Sequence, residues 1–178
     1  MKVAIFDTET TDLISNSALK LDKQPHIVEF SGKVIDDETG EILAEIDFLC
    51  DPGIPMPAES SKITGLKTED LKGLPSFASR IKEVQDFLDK AEAIVAHNLS
   101  YDHAITDFEA KRAGVELKWP SVKICTVEST EHLKGFRLNL SSLHELLFGV
   151  QFEGSHRAKA DVDALVRCYL ELKKQGEL

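Results

Sequence analysis

The hydrophobic pattern changes period about halfway along the chain. The first half reads as strands. Residues 3–6, Val3-Ala4-Ile5-Phe6, form an unbroken apolar run. Such a run predicts a strand covered on both faces, in the middle of a sheet. Residues 27–35 and 42–49 are also β-like, and the polar cluster at 36–40 between them predicts a hairpin. Residues 14–24 are polar and irregular, and a loop is expected there. Residues 51–57 carry three prolines and a glycine, which excludes regular structure. Residues 60–74 are mixed, and short turns are expected.

From residue 76 the period becomes helical. Phe77, Ile81, Val84 and Leu88 predict a helix over 76–90. A short buried strand follows at 93–96. Tyr101, Ile105 and Phe108 predict a helix over 100–113, with Gly114 as its stop. Trp119-Pro120 is a turn, and 122–125 a short strand. Two more helices are expected, over 140–148 with Gly149 after it, and over 157–174. Strands first and then helix–strand alternation predict an α/β fold, a mixed five-stranded sheet with helices on both faces. Residues 1–178 are expected to form a single domain.

Composition adds limits. Hydrophobic residues make up 42% of the chain and charged residues 29%, ordinary for a globular protein able to bury a core. No apolar run approaches the ~18 residues of a membrane span, so no membrane partner is expected. The chain runs straight into a strand, and no leader is expected. Cys50, Cys125 and Cys168 are far apart and odd in number, which suits neither a disulfide framework nor a zinc site; a reducing, cytoplasmic location is expected. The formal net charge of −10 argues against broad electrostatic capture of nucleic acid. It leaves open an enzyme whose bound metals supply local positive charge.

The candidate chemistry begins where the first strand ends. Asp7 and Glu9, at i and i+2, project to the same side of an extended chain. Two like charges at one spot repel unless a cation lies between them, and a hard divalent ion is the natural partner. Asp-x-Glu alone is weak: Asp36 to Glu38 repeats it and reads as a solvated turn. A second candidate is Asp102, in the first turn of a helix that follows a buried strand ending near His97. The helix dipole alone would also favour an acid there. A third is the segment His156-Arg157-Ala158-Lys159-Ala160-Asp161-Val162-Asp163. On a helical wheel Asp161 falls inside the apolar arc, between Cys168 and Leu172, whereas Asp163 falls just outside it. A carboxylate on the buried side needs a partner, so Asp161 is the functional candidate of the two. His97 and His156 each stand five residues before a candidate aspartate, and spacing does not choose between them. His97, at a buried strand end, suits a structural role. Together, Asp7, Glu9, Asp102 and Asp161 could converge around two divalent ions, Mg²⁺ or Mn²⁺, a known device for cleaving phosphodiesters, with a nearby neutral histidine taking a proton from water.

The segments FDTETTD, HNLSYDHA and HRAKADVDAL resemble the three motifs of the DEDDh (DnaQ-like) 3′→5′ exonuclease superfamily, which includes the proofreading subunit of a bacterial replicative polymerase, ribonuclease T and oligoribonuclease. The resemblance runs along nearly the whole chain, through residues 54–71 and 138–146 as well. It implies an RNase H-like fold and release of nucleoside 5′-monophosphates from 3′ ends. Asp7, Glu9, Asp102 and Asp161 would be metal ligands and His156 the general base. Thr8 and Thr10 would cradle the terminal nucleotide, and Asn98 would help position it. Asp12 departs from the usual glycine, and Cys125 from a usual aspartate. The expected substrate is a single-stranded 3′ end, DNA first, with a replication polymerase as a possible partner. An RNA-trimming enzyme on the same site, a non-catalytic binding module and a metal phosphatase are the rivals. With 21 basic against 31 acidic residues and 7% aromatics, the expected grip is weak, confined to the metals, the Thr8–Thr10 loop, Lys159 and Arg157.

Overall fold

The computed structural model describes residues 1–14, 16 and 19–178. One five-stranded sheet organises the chain: β1 (Lys2–Thr10), β2 (Ile27–Asp36), β3 (Ile42–Leu49), β4 (Ala93–Ala96) and β5 (Val122–Cys125), in the spatial order β3-β2-β1-β4-β5. β1 lies at the centre. It pairs antiparallel with β2 and parallel with β4, and the hairpin partner β3 and the parallel β5 form the edges. The sheet is therefore mixed, as the sequence pattern predicts.

The helices are α1 (Ala58–Thr64), α2 (Thr68–Leu71), α3 (Phe77–Leu88), α4 (Leu99–Arg112), α5 (Thr126–Thr130), α6 (Leu140–Phe148) and α7 (Ala158–Gln175). They cover both faces, and the alternation of β1 says how. Ala4 and Phe6 face the side covered by α3 and α4, packing with Phe30, Val84, Phe87 and Ile105. Val3 and Ile5 face the opposite side, packing with Leu165 and Tyr169 of α7. Val3, Ala4, Ile5 and Phe6 are all fully buried, which is why the run has no polar position.

Three helices escape the sequence pattern. Residues 60–74, expected to be turns, contain α1 and α2. Each is too short to display a helical period: α1 has seven residues and buries only Thr64, and α2 has four and buries only Leu71. They are held by a small cluster of Met56, Leu66 and Leu71 with Val28. The third, α5, spans five residues directly after β5. In the loop expected over 14–24, Leu21–Lys23 forms a 3₁₀ turn; Ser15, Ser17 and Ala18 lie outside the described residues. Arg112 ties this loop to α4 by donating to the carbonyls of Leu21, Gln24 and Pro25 at 2.7–2.9 Å.

Gly32, opposite Phe6 in β2, is where helix and sheet approach closest. A Cβ there would meet Phe87 Cζ at 2.5 Å and the Ile5 carbonyl oxygen at 3.2 Å. Phe87 is buried against Phe30, with 6.3 Å between ring centroids, and cannot swing clear. Gly32→Ala is expected to lower stability by about 1–3 kcal/mol, the usual cost of overpacking. Urea unfolding would read this as a lower midpoint at unchanged slope; an unchanged midpoint would mean that α3 is free to move.

Candidate active site

The site arises from a mismatch of strand lengths. β1 pairs with β4 only through Ile5, opposite Val95, but with β2 as far as Thr10, with an irregularity between Glu9 and Thr10. Asp7 and Glu9 therefore lie within β1, not beyond its end as the sequence pattern suggests: the antiparallel partner extends the strand past the apolar run. On the β4 side residues 7–10 have a free edge. The chain leaving β4 turns away there, passing through Asn98 at a left-handed φ of 82° into α4. A crevice at the carboxyl ends of parallel strands results, the common site for ligands in open α/β sheets.

Three elements fill this crevice with carboxylates. Asp7 and Glu9 follow the alternation of Val3 and Ile5 and so point to the face covered by α7. Asp102, in the first turn of α4, returns to the free edge of β1, where its Oδ1 accepts the Thr8 N–H at 3.1 Å and the Thr8 hydroxyl at 2.8 Å. Asp161, in the first turn of α7, is 8% exposed. Asp163, two residues on, pairs with Lys33 instead. His156 precedes α7 in a left-handed conformation, φ 68°, and its N–H donates to Asp161 Oδ2 at 3.0 Å. Ligand atoms of Glu9, His156 and Asp161 all lie within 4.8 Å of one another.

Their titration records this crowding. Burial, and then the charges of Asp102, Asp161 and Glu9, hold the Asp7 carboxyl well above its ordinary range. Glu9 is pushed up to about 8, by burial first and then by Asp161 and Glu29. Asp102 and Asp161 are both raised to about 7 by burial, against the opposing hydrogen bonds from Thr8 and from the His156 N–H. Acids that water cannot keep ionised together are complementary to a divalent cation, whose charge inverts that preference. Clustered carboxylate oxygens are the donor set that a hard divalent ion takes. The residues present fit such ions.

The crevice opens into a groove of about 340 Å³, lined by Thr8, Glu9, Thr10, Tyr101 and His156 on one side and by α1 on the other. Leu13, 74% exposed, and Ile63, 58% exposed, form apolar walls. The floor is tied together: the Asp12 carbonyl accepts the Thr10 hydroxyl at 2.8 Å and lies 2.9 Å from the Tyr101 hydroxyl, itself 2.6 Å from Thr10 Oγ1. Asp12 needs no glycine conformation, since its φ is not positive; its carboxylate accepts the Leu13 N–H at 2.7 Å. Thr8 and Thr10 thus reach the groove while their hydroxyls serve protein partners. Asn98 is exposed at the start of α4, in contact with Ser100 and outside the groove lining.

His97 is a strut. Its Nδ1 is 2.9 Å from Thr126 Oγ1 and its Nε2 3.0 Å from the Leu138 carbonyl, and burial lowers its pKa to about 4. Two further features escape a reading of the sequence. Glu29, 3% exposed and opposite Glu9 in the sheet, accepts both Nε and Nη2 of Arg157. Arg157, expected to help grip substrate, is thereby turned to an internal partner. Tyr101 reads as a core residue of its helix, and only the fold brings its hydroxyl to the Thr10 loop.

Comparison with known proteins bears on this arrangement. A family model described as Exonuclease matches residues 4–169. The chain is 32% identical over 180 residues to the PolC-type DNA polymerase III of Pediococcus pentosaceus, covering 99% of the chain and 12% of that protein, and 30% identical over 165 residues to that of Streptococcus suis, covering 92% and 10%. It thus spans about a tenth of the length of these relatives. Among solved structures, the nuclease domain of 3′hExo, a DEDDh family member bound to rAMP, superposes with a TM-score of 0.80 at 16% identity, over 98% of this chain and 92% of that one. Exonuclease X in complex with 5′ overhanging duplex DNA gives 0.67 at 21% identity, over 98% and 93%. At such identities the superpositions establish the shared RNase H-like fold.

The raised carboxyl pKa values fix a sign for the pH dependence of the metal-free protein. Unfolded, these groups titrate near their ordinary values of 3.8 and 4.5; folded, Asp102, Asp161 and Glu9 titrate at about 7 to 8. Between those limits the native state holds protons that the unfolded chain has released, so stability falls as pH rises through the window. In chelator, the melting temperature is expected to be higher at pH ~5 than at pH ~8. Asp7→Asn should flatten the difference, and Mg²⁺ at 100-fold over Kd should restore about 2.7 kcal/mol per site at the higher pH. A metal-free protein that gains stability from pH 5 to 8 would contradict the cluster.

Proposed function

The chain belongs to the exonuclease family whose model spans it, and from that premise we propose that it hydrolyses single-stranded DNA from the 3′ end, releasing nucleoside 5′-monophosphates. One observation carries the reading: Asp7 and Glu9 on β1, Asp102 on α4 and Asp161 on α7 converge beside His156, at the end of an open groove. The similarity to PolC-type polymerases supports DNA as the substrate and a replication polymerase as the partner.

Asp7, Glu9, Asp102 and Asp161 would hold two divalent ions, which supply charge neutralisation at the scissile phosphate and acidify water. The protein's own groups do the rest. The groove admits the terminal nucleotide, its base against Leu13 and Ile63 and its sugar over the Thr10–Tyr101 floor. The imidazole of His156, exposed at the groove and close to Glu9 and Asp161, accepts the proton of the attacking water. Attack at phosphorus breaks the bond to the 3′ oxygen of the shortened strand. Thr8 holds Asp102 with two hydrogen bonds and keeps it aimed at Asp7.

End-labelled DNA and RNA of matched sequence, incubated with Mg²⁺, Mn²⁺ or chelator, test the reading. The expected result is metal-dependent shortening of single-stranded DNA from the labelled strand's 3′ end. Preferential loss of the RNA would assign the groove to oligoribonucleotides, and inertness toward both would leave a binding module or a phosphatase.

Asp7→Asn is expected to abolish cleavage with the fold intact. His156→Ala should lose about 10²–10⁴-fold in kcat while Mn²⁺ titration remains near normal. His97→Ala, which strips two contacts from a buried ring, should act on the melting temperature instead. The reverse ranking of the two histidines in kcat, with both variants folded, would remove His156 from its role.

A further inference from the structure

Glu29 and Arg157 touch the site without belonging to its ligand set. The Glu29 carboxylate accepts Arg157 Nε at 3.0 Å and Nη2 at 3.1 Å, and also the Ala158 N–H at 3.2 Å. One residue earlier, the His156 N–H is held by Asp161 at 3.0 Å. Three consecutive residues are thus pinned. His156 is tied to the carboxylate of α7, and Arg157 and Ala158 to β2, beside the Glu9 that faces the histidine.

The imidazole of His156 has no comparable tie. It is exposed, and among the described residues its ring makes no hydrogen bond. Its place near Glu9 and Asp161 is therefore set by its backbone, which has a left-handed φ uncommon outside glycine. The contacts that bear on that backbone are the Asp161 bond to its N–H and the clamp on the next two residues. An ion pair whose cation is 46% exposed contributes little to stability, because solvent screens its attraction. A fork that takes both oxygens of one carboxylate is instead a strong device for orientation.

We propose that the Glu29–Arg157 pair is a positioning device for His156: it locks the backbone at the start of α7 and thereby aims the imidazole at the reacting water. The inference rests on the reading of His156 as proton acceptor. Arg157→Lys keeps the charge and loses the fork. It should lower kcat about 10–100-fold, the scale of a 1 Å misplacement, with KM, Mn²⁺ affinity and melting temperature near those of the wild type. In the metal-free protein it should also shift the His156 ring signals in NMR. Glu29→Gln should reproduce the loss in kcat, although it also removes a charge that repels Glu9 and Asp161, and it guards against a lysine that finds some other contact.

The decisive measurement is the double variant His156→Ala/Arg157→Lys. If Arg157 acts through His156, the double variant is no slower than His156→Ala alone. Independent, multiplying losses would overturn the positioning role while leaving His156 as the base. Wild-type kcat in both Arg157→Lys and Glu29→Gln would overturn it as well. A fully active His156→Ala would instead overturn the underlying assignment of the base.

Discussion

The constraint on which the rest depends is electrostatic. Four carboxyls, and a fifth on Glu29, are drawn into one crevice where each raises the proton affinity of its neighbours. Nothing in the cluster stabilises itself: burial and mutual repulsion both oppose ionisation. The cost is carried by the apolar layers on each side of β1, where Val3 to Phe6 are sealed between α7 and the pair α3 and α4. The strand that supplies four fully buried residues, Val3 to Phe6, also supplies the two acids. Conversion of one to the other within three positions is possible only because β4 stops at the place where β1 continues.

That offset also explains why the carboxylates come from three elements. Alternation along β1 sends Asp7 and Glu9 to one face, where α7 brings Asp161. Thr8 lies between them and offers its N–H to the free edge. Only a helix starting beside that edge can return an acceptor to it, and α4 does so because Asn98 turns the chain in a conformation most residues avoid. The site is thus a product of strand register and two helix starts, not of any one motif.

The four longer helices were legible because each repeats a period over enough residues, and the central strand because its apolar run has no polar position. Asp161 was separable from Asp163 on the same ground, since a helical wheel distinguishes a buried acid from one that pairs with Lys33 at the edge. Glu29 was not legible. In sequence it is one polar residue in a β-like stretch, and its meaning lies in its pairing with Glu9 across the sheet and with Arg157, 128 positions away. Arg157 misled for the same reason: a basic residue beside an acidic motif suggests a phosphate contact until its partner is known. The short helices α1 and α2 lacked the length to show a period, yet α1 supplies a wall of the groove. The two histidines share a spacing and differ in surroundings alone, one ring held at both nitrogens and the other free at the groove.

The negative charge of the chain bears less on this site than its size suggests. At physiological ionic strength charges are screened over about 8 Å, so a nucleotide entering the groove experiences the residues that line it, not the net charge of −10. Locally the balance is set by whether the carboxylate cluster is neutralised. Without cations, an anionic strand meets a concentrated patch of like charge and has little reason to enter. Two divalent ions would cancel the charge of the four carboxylates while leaving the acidic surface around them unchanged. On the proposed reading, metal binding would thereby govern not only cleavage of the bond but also the approach of the phosphate. Entry would then rest on the apolar walls at Leu13 and Ile63, whose attraction for a base is not weakened by an acidic surface.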